Sequence, residues 1–170
     1  MSASHFLYAS RSAGAPASSM PTLAAEAAES PPGARGLVVL PYFSGERTPI
    51  HDPHAKGILF GLDLTHTRGD ILRAVLEGIA CGTNHIIETY REAGQEPRTI
   101  LSVGGGTKNR VWAQATSDVS GRPQVLREKT VGASYGDAFL AALAVGDVMR
   151  ETIREWNPVA SEISPNVSRA

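Results

Sequence analysis

Apolar positions along the chain change period several times, and each change marks an element. From Gly69 to Ala93 they fall at Ile71, Leu72, Val75, Leu76, Ile79, Thr83 (by its methyl), Ile86, Ile87 and Tyr90. That three-four spacing predicts one long amphipathic helix, stopped at Gly94. Arg73 and Glu77, four apart, are placed to pair. Gly78 and Gly82 share a face and predict close approach of a neighbouring backbone, since glycine otherwise costs about 1 kcal/mol inside a helix. Gly36–Tyr42 (GLVVLPY) is a continuous apolar run and predicts a buried strand, and Ile58–Leu64 a second strand broken at Gly61. Thr22–Glu29 predicts a short helix stopped by Ser30-Pro31-Pro32-Gly33. Thr99–Val103 then reads as strand, Lys108–Ser120 as helix, Pro123–Arg127 as strand and Val131–Val145 as an Ala-rich helix. This alternation predicts an α/β fold on a parallel sheet. The chain after Gly146 is expected to be a partly helical tail fading at Asn157-Pro158, and residues 1–21 to be disordered.

Composition narrows the function classes. Apolar residues make up 42% and charged residues 19% of 170 residues, which suits one soluble domain with a real core. A net charge of −1 gives no electrostatic case for nucleic acid or an anionic membrane. No apolar run reaches membrane-span length. The one cysteine, Cys81, excludes an internal disulfide and fits a reducing compartment. The first twenty residues, Ser- and Ala-rich with Arg11 and no acid, weakly resemble a transit peptide.

The richest local chemistry is the turn SVGGGTKNRVW at Ser102–Trp112. A strand leading into three glycines and then a helix lets a backbone approach a phosphate: glycine removes the blocking Cβ, and a helix start offers free N–H groups and a positive dipole end. GGGTKN departs from a Walker A loop, because Thr107 rather than glycine precedes Lys108. It departs from the dinucleotide fingerprint because Asn109 stands at the last glycine. Spacing alone leaves a structural turn and a phosphate site equally open. His51 and His54 would need further ligands, with Asp63 and His66 nearest in sequence, so no metal site is assigned. Cys81 and His85 share a helix face, and a buried Cys81 with a solvent-facing His85 is expected. For Glu46-Arg47, in the loop SGERTP, a loop-fixing ion pair is expected ahead of the alternative, contact with an anionic ligand through the planar fork of Arg47.

Four segments in order, LPYFSGERTPIHDPHAKG (Leu40–Gly57), FGLDLTHTRGDILRAVLEGIACG (Phe60–Gly82), SVGGGTKNRVWAQATSDVSGRPQ (Ser102–Gln124) and GASYGDAFLAALAVGD (Gly132–Asp147), resemble the C-terminal half of the FGGY carbohydrate kinases, most closely the xylulokinase-like branch. The resemblance spans about Leu23–Asp147 and sets a domain at residues 22–147 with a tail at 148–170. It implies a partial ribonuclease H-like lobe of the actin, Hsp70 and sugar kinase type, ATP and Mg²⁺ as cofactors, and a cytoplasmic protein. It further implies that the amides of Gly104, Gly105 and Gly106 lie near the ATP phosphates and ribose, with Asn109 at the adenine end and the helix carrying Trp112 and Gln114 behind them. The sugar, a pentulose such as xylulose, would bind through an N-terminal lobe that this chain lacks, together with the catalytic base; a partner chain could supply that lobe. Asp52, Asp63, Asp118 and Asp137 belong to C-terminal motifs, so no catalytic residue is assigned. The alternative expectation is a non-catalytic remnant or interaction module.

Overall fold

A computed structural model describes residues 20–166. The expected disorder of residues 1–21 lies outside the described residues except for Met20 and Pro21, which open helix α1 (Met20–Glu29). The chain divides into two compact units, residues 1–79 and 80–170, and the division falls inside helix α2 (Arg68–Glu92).

In the first unit, strands β1 (Val38–Leu40) and β2 (Ile58–Phe60) form a two-stranded antiparallel ribbon, with Val38 opposite Phe60 and Leu40 opposite Ile58. The run expected to be a buried strand is therefore short and one-sided. Val39 is buried, whereas Val38 is 60% and Phe60 70% exposed. Continuous apolarity cannot separate a doubly buried strand from a ribbon covered on one face. Val39 joins Ala34, Leu37 and Ala74 in a small core, with Ile71 and Val75 packed against it. Gly78 explains the close packing on α2: a Cβ there would lie 2.4 Å from the Val39 carbonyl oxygen. Gly82 faces open space, so the expected close approach holds at Gly78 and fails at Gly82.

The start of α2 is a reciprocal cap. The Thr67 hydroxyl accepts the Asp70 N–H (3.2 Å), and the Asp70 carboxylate accepts the Thr67 N–H (2.8 Å). Asp70 is nearly fully buried and also accepts the Ser30 hydroxyl (2.6 Å), with Arg35 at 3.3 Å. These partners hold its carboxyl far below the usual carboxylate range, Ser30 contributing most and Thr67 next. The expected Arg73–Glu77 pair is present at 2.8 Å. Arg73 also donates to the Ser30 carbonyl (2.7 Å), and Glu77 accepts the Gly33 N–H (3.1 Å), so the pair ties α2 to the turn after α1.

In the second unit, β3 (Ile100–Ser102) runs parallel to β4 (Gln124–Arg127), and β5 (Val159–Ile163) runs antiparallel to β4, in the order β3-β4-β5. The expected parallel sheet is thus mixed, and the expected tail supplies its third strand. Asn157-Pro158 interrupts the chain without ending the structure, because Val159 and Ile163 restore strand propensity beyond it. Helix α3 (Arg110–Ser120) packs Ala113 against Leu126 and Ile163. Helix α4 (Ala133–Val145) buries Phe139 against Trp156, with ring centroids 5.4 Å apart, while Leu140 and Val145 are exposed. A short helix, α5 (Ile153–Trp156), precedes β5.

Buried polar groups stitch this unit together. Gln124 accepts the Ser102 hydroxyl (2.7 Å) and donates to the Ala113 carbonyl and the Ser117 hydroxyl oxygen (3.0 Å). Ser117 donates onward to the Ile163 carbonyl (2.9 Å). Both faces of the Gln124 amide are used, as burial requires. Among the described residues, no helix is long and apolar enough to cross a membrane.

Candidate functional site

Strand β3 delivers the chain to the glycine turn, and each glycine stands there for a different reason. Gly104 has φ 87° and ψ −176°, a conformation L-residues rarely adopt. Its N–H donates to the Thr130 carbonyl at 2.6 Å, which ties the turn to the segment after β4. Gly106 lies against Trp112: a Cβ there would fall 2.3 Å from the indole Cζ3. Gly105 has neither constraint. Its φ is not in the left-handed region, a Cβ would meet nothing within 4 Å, and the residue is exposed.

Residues Gly105–Lys108 form a single tight turn, and α3 begins only at Arg110. The helix expected from Lys108 thus starts two residues later, after a separate turn. Asn109 separates the two: its backbone is extended (φ −89°, ψ 99°), and its side-chain oxygen accepts the Trp112 N–H at 3.2 Å as the α3 N-cap. The Thr107 hydroxyl closes the turn from inside by donating to the Gly104 carbonyl (2.7 Å). Gly105 and Gly106 are the first residues of that turn, so no preceding carbonyl of it reaches their amides. The structure therefore brings Gly104, Gly105, Gly106 and Asn109 into one turn. It separates their capacities: the Gly104 amide is already bonded within the fold, those of Gly105 and Gly106 have no partner in the turn, and Asn109 spends its oxygen on the cap and keeps its NH₂.

The other candidates resolve into local roles. Glu46 holds its loop by accepting the backbone N–H groups of Thr48 (2.8 Å), Ile50 (2.9 Å) and His51 (3.2 Å). The expected Glu46–Arg47 ion pair is not among the ion pairs of the described residues, because three amides converge on the carboxylate instead. Asp63 and His66 lie 3.0 Å apart in the turn before α2. Among the described residues, no three His, Cys, Asp or Glu side chains are grouped to hold a metal. Cys81 is exposed, contrary to expectation, and His85 is exposed as expected. One contributor has no signal in the sequence. Thr130 acts through its carbonyl, which leaves no trace in residue type.

Comparison with known proteins follows the same outline. The model of the FGGY family of carbohydrate kinases, C-terminal domain, matches residues 3–145. The xylulose kinase of Bacillus subtilis is 42% identical over 116 residues, 68% of this chain and 23% of that protein. That of Escherichia coli is 38% identical over 130 residues, 75% of this chain and 26% of that protein. The crystal structure of xylulose kinase from Rhodospirillum rubrum superposes with a TM-score of 0.69 at 37% identity, covering 86% of this chain and 29% of that one. The chain thus spans about a quarter of the length of the curated relatives it matches. Its fold is a partial C-terminal lobe of the actin, Hsp70 and sugar kinase type. Motif order, fold and family match agree, and the chain belongs to the FGGY family of carbohydrate kinases, as its C-terminal domain.

Proposed function

We propose that this chain is the ATP-holding part of a cytoplasmic carbohydrate kinase that transfers the terminal phosphoryl group of ATP to a sugar, a pentulose such as xylulose. The observation that carries the nucleotide reading is Gly105, an exposed glycine that neither backbone conformation nor packing requires. A glycine with no reason inside the fold fits close approach of something outside it. The amides of Gly105 and Gly106 sit at the start of a turn and would donate to phosphate oxygens. Gly104 would set the turn's direction, and the Asn109 NH₂ would donate to the adenine end. Trp112, lodged under Gly106, would keep the turn from collapsing into the space a nucleotide needs. The pentulose assignment rests on the relatives, several of which are xylulose kinases.

Phosphoryl transfer is catalysed by positioning and charge stabilisation. Bound ATP would supply the transferred group, and Mg²⁺ would offset phosphate charge. This chain's residues would orient the nucleotide and exclude water from one side of it. A carboxylate that accepts the sugar hydroxyl proton would come from an N-terminal lobe, supplied by further chain or by a partner.

A second reading, a non-catalytic interaction module, draws on the β1–β2 ribbon. Its outer face carries Val38, Leu40, Ile58 and Phe60, all exposed. Contiguous exposed apolar faces of this kind mark protein–protein contacts.

The test is a titration of the 170-residue chain with ATP·Mg²⁺, followed by amide NMR. Shifts centred on Gly104–Asn109 support the nucleotide reading, and a dispersed spectrum indifferent to ATP refutes it. Phosphorylation of any pentulose by the isolated chain would reject the interaction module.

A further inference from the structure

Just past the last residue matched by the family model, Val145, the chain turns back to the nucleotide turn. Asn157 follows α5 with half-buried, non-helical backbone (φ −138°, ψ 86°). Its side-chain oxygen accepts the Lys129 N–H at 2.9 Å, and its NH₂ donates to the Lys129 carbonyl at 2.8 Å. One side-chain amide thus satisfies both backbone groups of one residue. The neighbouring sequence explains why a side chain does this. The β4–β5 ladder reaches Arg127 opposite Val159, with an irregularity between Leu126 and Arg127. The next residue back is Pro158, which has no N–H to continue a ladder. It still accepts the Glu128 N–H through its carbonyl (3.1 Å), and the Asn157 carbonyl accepts Arg127 Nη1 (3.1 Å). The Asn157 amide stands in for the missing strand partner opposite Lys129.

What Lys129 leads to makes this functional. The next residue, Thr130, offers the carbonyl that receives the Gly104 N–H at 2.6 Å. With Lys129 clamped on both backbone groups, the direction of the following peptide is restrained, and with it the acceptor that orients the first glycine. The clamp is itself anchored: Trp156 Nε1 donates to the Tyr135 carbonyl (3.3 Å), the Tyr135 hydroxyl donates to the Trp156 carbonyl (3.1 Å), and the two rings stack at 5.4 Å.

We infer that Asn157 is a positioning residue for the nucleotide turn, acting through Lys129 and Thr130 on Gly104. Its functional consequence rests on the nucleotide reading proposed above; the mechanical relay does not. The segment after the family domain is on this view part of the working site.

The experiment is amide hydrogen exchange by NMR on the full 170-residue chain, first without nucleotide and then with an ATP·Mg²⁺ titration, for wild type, Asn157→Ala and Asn157→Asp. In Asn157→Ala the amides of Lys129 and Gly104 should both exchange roughly three- to tenfold faster, the scale of one lost hydrogen bond, while Leu126 in the strand keeps its protection. In Asn157→Asp a carboxylate still accepts the Lys129 N–H but faces the Lys129 carbonyl without a proton. Lys129 should then stay protected and Gly104 should loosen. ATP affinity should fall in both variants with the Leu126 protection unmoved, a pattern that general destabilisation does not produce. Gly104 exchange at the wild-type rate in a variant whose Lys129 clamp is broken overturns the relay. If Asn157→Ala loses protection everywhere, Asn157→Asp decides: Gly104 exchange at the wild-type rate there, with the carbonyl half of the clamp gone, overturns the relay. A wild type that ignores ATP overturns the nucleotide reading alone, because the exchange rates decide the relay without nucleotide.

Discussion

Gly105→Asp separates folding from binding at the proposed nucleotide turn. The wild-type residue is exposed, its φ lies outside the left-handed region, and an added Cβ would meet nothing within 4 Å. Folding stability should therefore move by no more than about 0.5 kcal/mol, as for a surface substitution away from special features. Binding should respond very differently. If the Gly105 amide donates to a phosphate oxygen, a carboxylate on the same residue comes within about 4 Å of that charge. The repulsion per charge pair is then about 1 kcal/mol if water screens it fully and about 4 kcal/mol at an effective dielectric near 20. ATP affinity should fall by between roughly fivefold and a thousandfold, at about 1.4 kcal/mol per factor of ten. Gly105→Ala adds the Cβ without the charge and should weaken binding less, with stability unchanged or slightly raised through the unfolded chain. Calorimetric titration with ATP·Mg²⁺ alongside thermal melts of all three proteins reads both quantities. Unchanged ATP affinity in Gly105→Asp, with wild-type melting, would remove the glycine turn from the nucleotide site.

Three further outcomes follow from the packing and the charges. Gly106→Ala places a Cβ on the Trp112 ring and should cost about 1–3 kcal/mol in chemical denaturation, in contrast to Gly105→Ala one residue earlier. Gly78→Ala drives a Cβ to 2.4 Å from the Val39 carbonyl, so α2 and β1 must separate; a loss of at least about 1 kcal/mol is expected despite alanine's better helix propensity, and a stabilised variant would refute the close approach. Asp70 has a folded-state pKa held below its unfolded value by Ser30, Thr67 and Arg35. It therefore contributes stability at neutral pH that is lost as pH falls below about 5. Asp70→Asn should flatten the acid side of the melting temperature against pH profile, and an unchanged slope would show that Asp70 is not the group responsible.

The long helix, its Arg73–Glu77 pair, the α1 stop and the strand–turn–helix at Ser102–Trp112 were all readable in the chain. Each depends on contacts within a few residues, where period and residue type act directly. The T-x-x-D cap of α2 was not among the expectations, although Thr67 and Asp70 stand at the spacing such a cap needs. Other features were hidden because their causes lie far along the chain. Nothing near Gly78 and Gly82 says that only the first meets another backbone. Nothing near Cys81 says which helix face is covered. The carboxylate of Glu46 chose three amides over the adjacent Arg47 because the loop folds around it.

The glycine turn divides most clearly along this line. Local sequence determines that three glycines follow a strand and that Asn109 can cap a helix, because glycine freedom and capping are short-range. Four motifs in order determine the family. Only the tertiary structure decides that Gly104 is held by Thr130, that Gly106 is required by Trp112, and that Gly105 is left open. The Gly104 distinction comes from the segment after β4 meeting the turn through the Thr130 carbonyl, and a carbonyl arriving from that far along the chain has no signature where it is needed; Trp112 is near in sequence, but only the folded turn sets its ring against Gly106.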